Sequence, residues 1–203
     1  MKQIRRGVFE TNSSSTHSIA IPKQHAKKYP DVVSFRIGEF GWEWEQANPA
    51  DYLYTAIFCY YGCRTKKCDE KIEQLKHALE LYDIRYDMED PAVATYSWST
   101  SKKDEPHYYL DNGYIDHSED LGSFLEAVFK DNETLLDFIF FGLVFTGNDN
   151  SNEDERTFIH RDRPTYEQWD YDPVTKEETV IERPNPLYDK FYAENFDWYE
   201  KGN

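Results

Sequence analysis

The sequence predicts an α+β fold: one mixed domain of short strands and three to five helices, with an acidic, aromatic C-terminal extension. Three observations predict it. Stretches of alternating polarity and stretches of helical periodicity follow one another without a regular strand–helix–strand order. Aromatic residues make up 17% of the 203 residues while mean hydropathy is −0.85, which places a real core beneath a very polar surface. The chain also changes character after Glu155, where Pro164, Pro173, Pro184 and Pro186 punctuate a run rich in Tyr and Trp. These features divide it into a core domain, residues 1–155, and an extension, residues 156–203, packed on that core.

Residues 2–9 read as a first strand carrying Ile4, Val8 and Phe9. Residues 9–18, Phe-Glu-Thr-Asn-Ser-Ser-Ser-Thr-His-Ser, are too polar for a core element and too rich in Asn, Ser and Thr for a helix interior, so they read as a loop. Ile19-Ala20-Ile21 resumes an apolar pattern that Pro22 stops. Val32 to Ile37 alternates as a strand does. Gly38 and Gly41 punctuate the chain before Asn48-Pro49, a helix start for residues 50–61. Residues 67–86 carry Ile72, Leu75, Leu79 and Tyr82 on one helical stripe. Residues 92–100 and 108–115 read as strands, the second with a turn at Asp111-Asn112-Gly113. Ser118 is the expected cap of a helix to about Lys130, and Asn132 that of a helix to Phe141. Leu143–Thr146 reads as a buried strand followed by an acidic loop, Gly147–Glu155. Thr157–Ile159 and Glu178–Glu182 suggest a hairpin, and Pro186–Tyr199 an aromatic helix.

No apolar run can span a bilayer; Leu135–Phe145 is too short and is broken by Asp137 and Gly142. With no signal-like N-terminus, the expectation is a protein of the host-cell cytosol with no membrane partner. Cys59, Cys63 and Cys68 are an odd count without a tight Cys-x2-Cys hook, so buried free thiols are favoured over a zinc site with His77.

Charge is uneven. The total is −16, yet Lys2, Arg5, Arg6, Lys23, Lys27, Lys28 and Arg36 face only Glu10 and Asp31 in the first 36 residues. A basic segment that holds the polar run suits phosphate, whereas the acidic remainder suits a basic protein surface.

Three constellations can carry chemistry. In the polar run, His17, Glu10 and Ser15 are the catalytic candidates: an imidazole and a carboxylate for proton transfer, and a hydroxyl as nucleophile. Arg5, Arg6, Asn12, Ser13 and Ser14 are the phosphate-binding candidates, supplying cations and fixed donors. Asp116-His117-Ser118 pairs an acid with an imidazole at a helix mouth, and Asp149 follows a buried strand, where site residues gather. These last are secondary candidates. The metal ligands are unknown; a divalent metal is compatible with the set and not required by it. Each constellation also has a plain structural reading: a serine-rich turn, an ordinary cap and an Asn/Asp/Gly turn.

The run Arg6-Gly-Val-Phe-Glu-Thr-Asn-Ser-Ser-Ser-Thr-His-Ser18 resembles the start of a family of small proteins of phages and mobile elements in Firmicutes. Tyr114–Ser118, Asp137–Phe140 and Thr146–Asn150 resemble later segments of that family. The resemblance implies an anti-defence role of the anti-CRISPR (type II-A) kind, with a host defence nuclease or its guide RNA as partner. It transfers no residue roles. The expected function is therefore an anti-defence protein that engages phosphate of a nucleic acid or nucleotide through the N-terminal polar loop, with or without cleaving it. In the cleaving version His17 transfers the proton and Arg5 or Arg6 steadies the phosphate. The alternative is an acidic stoichiometric inhibitor that fills the nucleic-acid groove of a host nuclease without catalysis.

Overall fold

The structure, a computed structural model, describes residues 15–41, 45–96, 107–148, 161–171, 174, 176 and 178–201. The elements run β1 (Ser15–Pro22), β2 (Val32–Phe35), β3 (Glu39–Phe40), β4 (Glu45–Ala47), α1 (Pro49–Tyr61), α2 (Lys66–Leu81), β5 (Arg85–Met88), β6 (Val93–Tyr96), β7 (His107–Leu110) and β8 (Tyr114–Ile115). A 3-10 turn (Ser118–Leu121) then leads to α3 (Gly122–Val128), α4 (Asn132–Phe141), β9 (Leu143–Asn148), β10 (Thr165–Tyr171), β11 (Glu178–Pro184), α5 (Lys190–Asn195) and β12 (Phe196–Lys201). Among the described residues, five α-helices and several short sheets make the predicted α+β class.

The core is an antiparallel sheet in the order β12-β1-β9-β4. β1 lies inside it, with Ile19 opposite Val144 on β9 and Tyr199 on β12. α4 packs on β1 and α1 on β9, and Tyr52, Phe124 and Phe138 are fully buried beneath them. On the opposite face Phe145 and Trp198 stack with ring centroids 6.3 Å apart, and the Arg161 guanidinium lies 4.9 Å from the Phe145 ring centre.

Local chemistry starts α1 where the sequence says it should. Asn48 caps it by accepting from the Ala50 and Asp51 N–H groups, and Pro49 opens the first turn. From Tyr52 to Phe58 the helix is buried all round. α2 turns Leu75 and Leu79 of the predicted stripe inward together with Cys68 and Ala78, while Ile72 is half-buried and Tyr82, exposed, follows the helix, which stops at Leu81 and not near Tyr86. Asp83 takes φ 55, which reverses the chain, buries Ile84 and leaves Arg85–Met88 as a strand parallel to β2. Helical periodicity does not reveal such a left-handed stop at a non-glycine residue.

Other expectations are corrected. The Asp111–Gly113 bend joins strands of different sheets, since β7 pairs with β6 and β8 pairs in parallel with β3. Ser118 is not a cap; His117 precedes the 3-10 turn in a left-handed conformation with no side-chain cap bond. Asp131, not Asn132, caps α4 by accepting the Thr134 N–H at 2.7 Å. Gly147 and Asn148 extend β9. The hairpin partner of β11 is Thr165–Tyr171, while Thr157–Ile159 lies outside the described residues. The expected tail helix is confined to Lys190–Asn195; Phe196–Lys201 forms β12, because its aromatic residues suit a pleated sheet and β1 offers a free edge. Among the described residues no helix is long and apolar enough to cross a membrane.

Candidate functional site

The polar run is not a surface loop throughout. Ser15, Thr16, His17 and Ser18 form the first half of β1, and their exposures are 2, 9, 0 and 0%. The expectation that such a run cannot enter the core fails for a physical reason. His17 and Ser18 lie between β9 and β12, and Ser15 and Thr16 pair with β9, so the ladders take up backbone donors and acceptors and the side chains remain to be accommodated. Three of these are small, and the fourth has a specific partner.

That partner is Tyr52. Side chains alternate along β1, so Ser15, His17 and Ile19 share the face toward the helices. His17 Nδ1 lies 2.7 Å from the Tyr52 hydroxyl, and the ring centroids are 5.7 Å apart. Tyr52 is held on α1 by edge-on packing against Phe40 and Phe124. Burial pushes its phenol well above the ordinary tyrosine value, with Cys59 adding to the effect.

The other ring nitrogen meets a glycine. Gly41 follows β3 at φ +111, and a Cβ there would lie 2.8 Å from His17 Nε2, 3.1 Å from Asp116 Cβ and 3.3 Å from Ser15 Cβ. Parallel pairing of β3 with β8 delivers Asp116 to this point; its N–H donates to the Phe40 carbonyl at 3.2 Å. Asp116 is 4% exposed and accepts the Tyr114 O–H at 2.8 Å. Burial and then this bond hold the Tyr114 phenol above its usual range. His117 stands beside it, with Nε2 3.9 Å from Asp116 Oδ2 and Nδ1 3.7 Å from Glu119 Oε1. Its backbone is left-handed, φ 51 and ψ 40, a conformation that costs a non-glycine residue about 1–2 kcal/mol.

Ser15 and His17 from the polar run and Asp116 from the second constellation therefore gather round one glycine, with His117 beside Asp116. Ser15 Oγ is buried and has no hydrogen-bond partner among the described residues. A hydroxyl, an imidazole and a carboxylate around a close backbone approach can bind and polarise an oxygen-bearing ligand. Arg5, Arg6, Glu10, Asn12, Ser13, Ser14 and Asp149 lie outside the described residues. The sequence neighbours of two of these runs meet, because Ser15 pairs with Asn148. Among the described residues no three His, Cys, Asp or Glu side chains are placed to hold a metal ion. The three cysteines form no disulfide, Cys63 and Cys68 being buried and Cys59 less so.

The described part of the basic segment is partly neutralised. Lys23 reaches the Glu194 carbonyl and Asp197, and Arg36 bonds Asp87. Lys27 and Lys28 border a shallow depression of about 280 Å³ that Asp31 and Glu133 also line.

Sequence reasoning missed Gly41 and Tyr52. Gly41 registered as punctuation and Tyr52 as one of many aromatics on a buried helix. Asp137 was noted only as a break in an apolar run, which was itself the signal: a carboxylate on a buried helix needs partners. It accepts from His25 Nδ1 at 2.7 Å, the Ala26 N–H at 2.9 Å and the Tyr29 O–H at 3.0 Å.

The chain matches no protein-family model, no curated protein and no solved structure.

Proposed function

We propose that this is an anti-defence protein of a phage or mobile element that engages phosphate of a nucleic acid or nucleotide at the sheet end where Ser15, His17 and Asp116 surround Gly41. The observation that supports the reading is this gathering: Ser15 and His17 of β1 and Asp116, far away in sequence, converge on a glycine where an added Cβ would lie 2.8 Å from His17 Nε2. The resemblance of the N-terminal run supplies the biological setting, with the guide RNA of a host RNA-guided nuclease as the phosphate-bearing target. Arg5, Arg6 and Asn12 are assigned to the phosphate because they immediately precede β1 in sequence.

The alternative reading, an acidic stoichiometric inhibitor, draws support from charge. Asp and Glu number 39 against 23 Lys and Arg, and Lys23 and Arg36 are already occupied by carboxylates.

One experiment separates the two. The protein is used to capture a type II-A nuclease–guide complex, and the RNA is resolved on a denaturing gel. Shortened RNA, lost with Ser15→Ala, supports the phosphate site. Intact RNA in a complex that dissociates as salt rises supports the acidic inhibitor. No complex and no shortening would remove both readings for this target.

A further inference from the structure

Tyr52 has one hydroxyl proton and lies fully inside the core. Among the described residues its ring packs on apolar rings, Phe40 and Phe124, and its hydroxyl lies 2.7 Å from His17 Nδ1. A buried phenol that keeps its proton must donate it, because a buried O–H left unbonded costs about 1–3 kcal/mol. Nδ1 is the acceptor within reach. A nitrogen that accepts carries no hydrogen, so a neutral imidazole in this position bears its proton on Nε2. The reverse arrangement, with Nδ1–H donating to the phenol oxygen, would orphan the Tyr52 proton among aromatic rings. The proton-bearing Nε2 is the atom that lies against Gly41, between Ser15 and Asp116.

We infer that Tyr52 is a positioning residue that locks His17 as the neutral Nε2–H tautomer, so that His17 offers the site a hydrogen-bond donor and is not its acid or base. This rests on the functional reading above and sharpens it. A neutral imidazole that gave up its Nε2 proton would become an imidazolate, and one whose Nδ1 is already bonded has no free lone pair with which to take a proton. His17 therefore polarises an oxygen of the phosphate-bearing ligand, by contact alone. Proton transfer, where it occurs, falls to Asp116, which adjoins Gly41, or to His117, whose Nε2 is 3.9 Å from Asp116 Oδ2. The glycine is required because any side chain at position 41 would occupy the place where Nε2–H meets the ligand oxygen.

The test reads the imidazole directly. Long-range proton–nitrogen NMR spectra of the ¹⁵N-labelled full chain report which ring nitrogen carries hydrogen, and the His17 signals are those missing from His17→Gln. The expected result at neutral pH is one tautomer, with Nε2 protonated and Nδ1 bare. In Tyr52→Phe, checked for folding by circular dichroism, the His17 nitrogens should lose this fixed pattern. A Tyr52→Phe chain that does not fold leaves the wild-type spectrum to decide. An Nδ1–H tautomer, a mixture of tautomers or an imidazolium in the wild type overturns the inference. So does an unchanged Nε2–H pattern in folded Tyr52→Phe. No ligand is needed for these spectra, so they fail separately from the functional reading, which falls if the guide RNA stays intact and uncaptured while the tautomer is as stated.

Discussion

Asp137, completely buried on α4, lies 2.7 Å from Nδ1 of His25, a residue whose side chain is 53% exposed. The same carboxylate gathers the Ala26 N–H and the Tyr29 O–H, so one side chain ties the segment that leaves β1 to the helix layer. Burial, followed by the Asp137 bond, raises the Tyr29 phenol above its usual range and keeps it a donor. Asp137→Ala should destabilise the protein by about 3 kcal/mol, since three donors lose their acceptor. Asp137→Asn should cost less, because one acceptor oxygen survives. Urea unfolding midpoints of the two variants test the order.

Gly41→Ala should cost at least about 2 kcal/mol, combining a left-handed backbone with a Cβ driven against His17. Its folded fraction should also lose function more completely than Ser15→Ala does, because the intrusion displaces the imidazole itself. Thermal unfolding followed by the RNA assay on the folded protein separates the two effects.

Alkaline pH should weaken the fold. Burial pushes the Cys68 thiol from 9.0 up to about 12 and the Tyr54 phenol from 10.0 up to about 12. The folded chain therefore holds these protons more tightly than the unfolded one. Their contribution is complete below about pH 9 and is lost as pH rises toward 12. Unfolding free energy measured across this range should fall, and Cys68→Ser should flatten the decline. At neutral pH a disulfide thiol reagent should leave Cys63 and Cys68 untouched until denaturant is added, since they are 2% and 1% exposed.

Removing residues 196–203 should make the protein insoluble or associated. The deletion strips β12 from β1 and exposes a strand whose residues from Ser15 to Ile21 are all buried. Tyr199 would also leave its place against Phe124. Size-exclusion chromatography of the truncated chain, with Trp198→Ala as the milder control, tests this.

Much of the helical layer was legible because its signals are local. The Asn48-Pro49 start follows from capping, and buried Leu75 and Leu79 of α2 and Phe124, Leu125 and Val128 of α3 from periodicity. Strand pairing was not, because it depends on partners far away in sequence. Nothing local says that Phe196–Lys201 seeks β1, or that His17 and Ser18 will lie between two ladders. The site was half legible for the same reason. Ser15, His17 and Asp116 stood out by residue type, whereas Gly41 and Tyr52 acquire meaning only from the contacts that the fold creates.

The pairing of β12 with β1 joins the two ends of the described chain, with His17 facing Lys201. A ribosome must therefore deliver the chain as far as Lys201 before the central sheet can close. Until then the β1 segment waits with one edge open, and contacts of such long sequence separation form slowly. Assembly of the imidazole site thus waits for the synthesis of β12, and any chain released before residue 196 lacks the strand that pairs with His17.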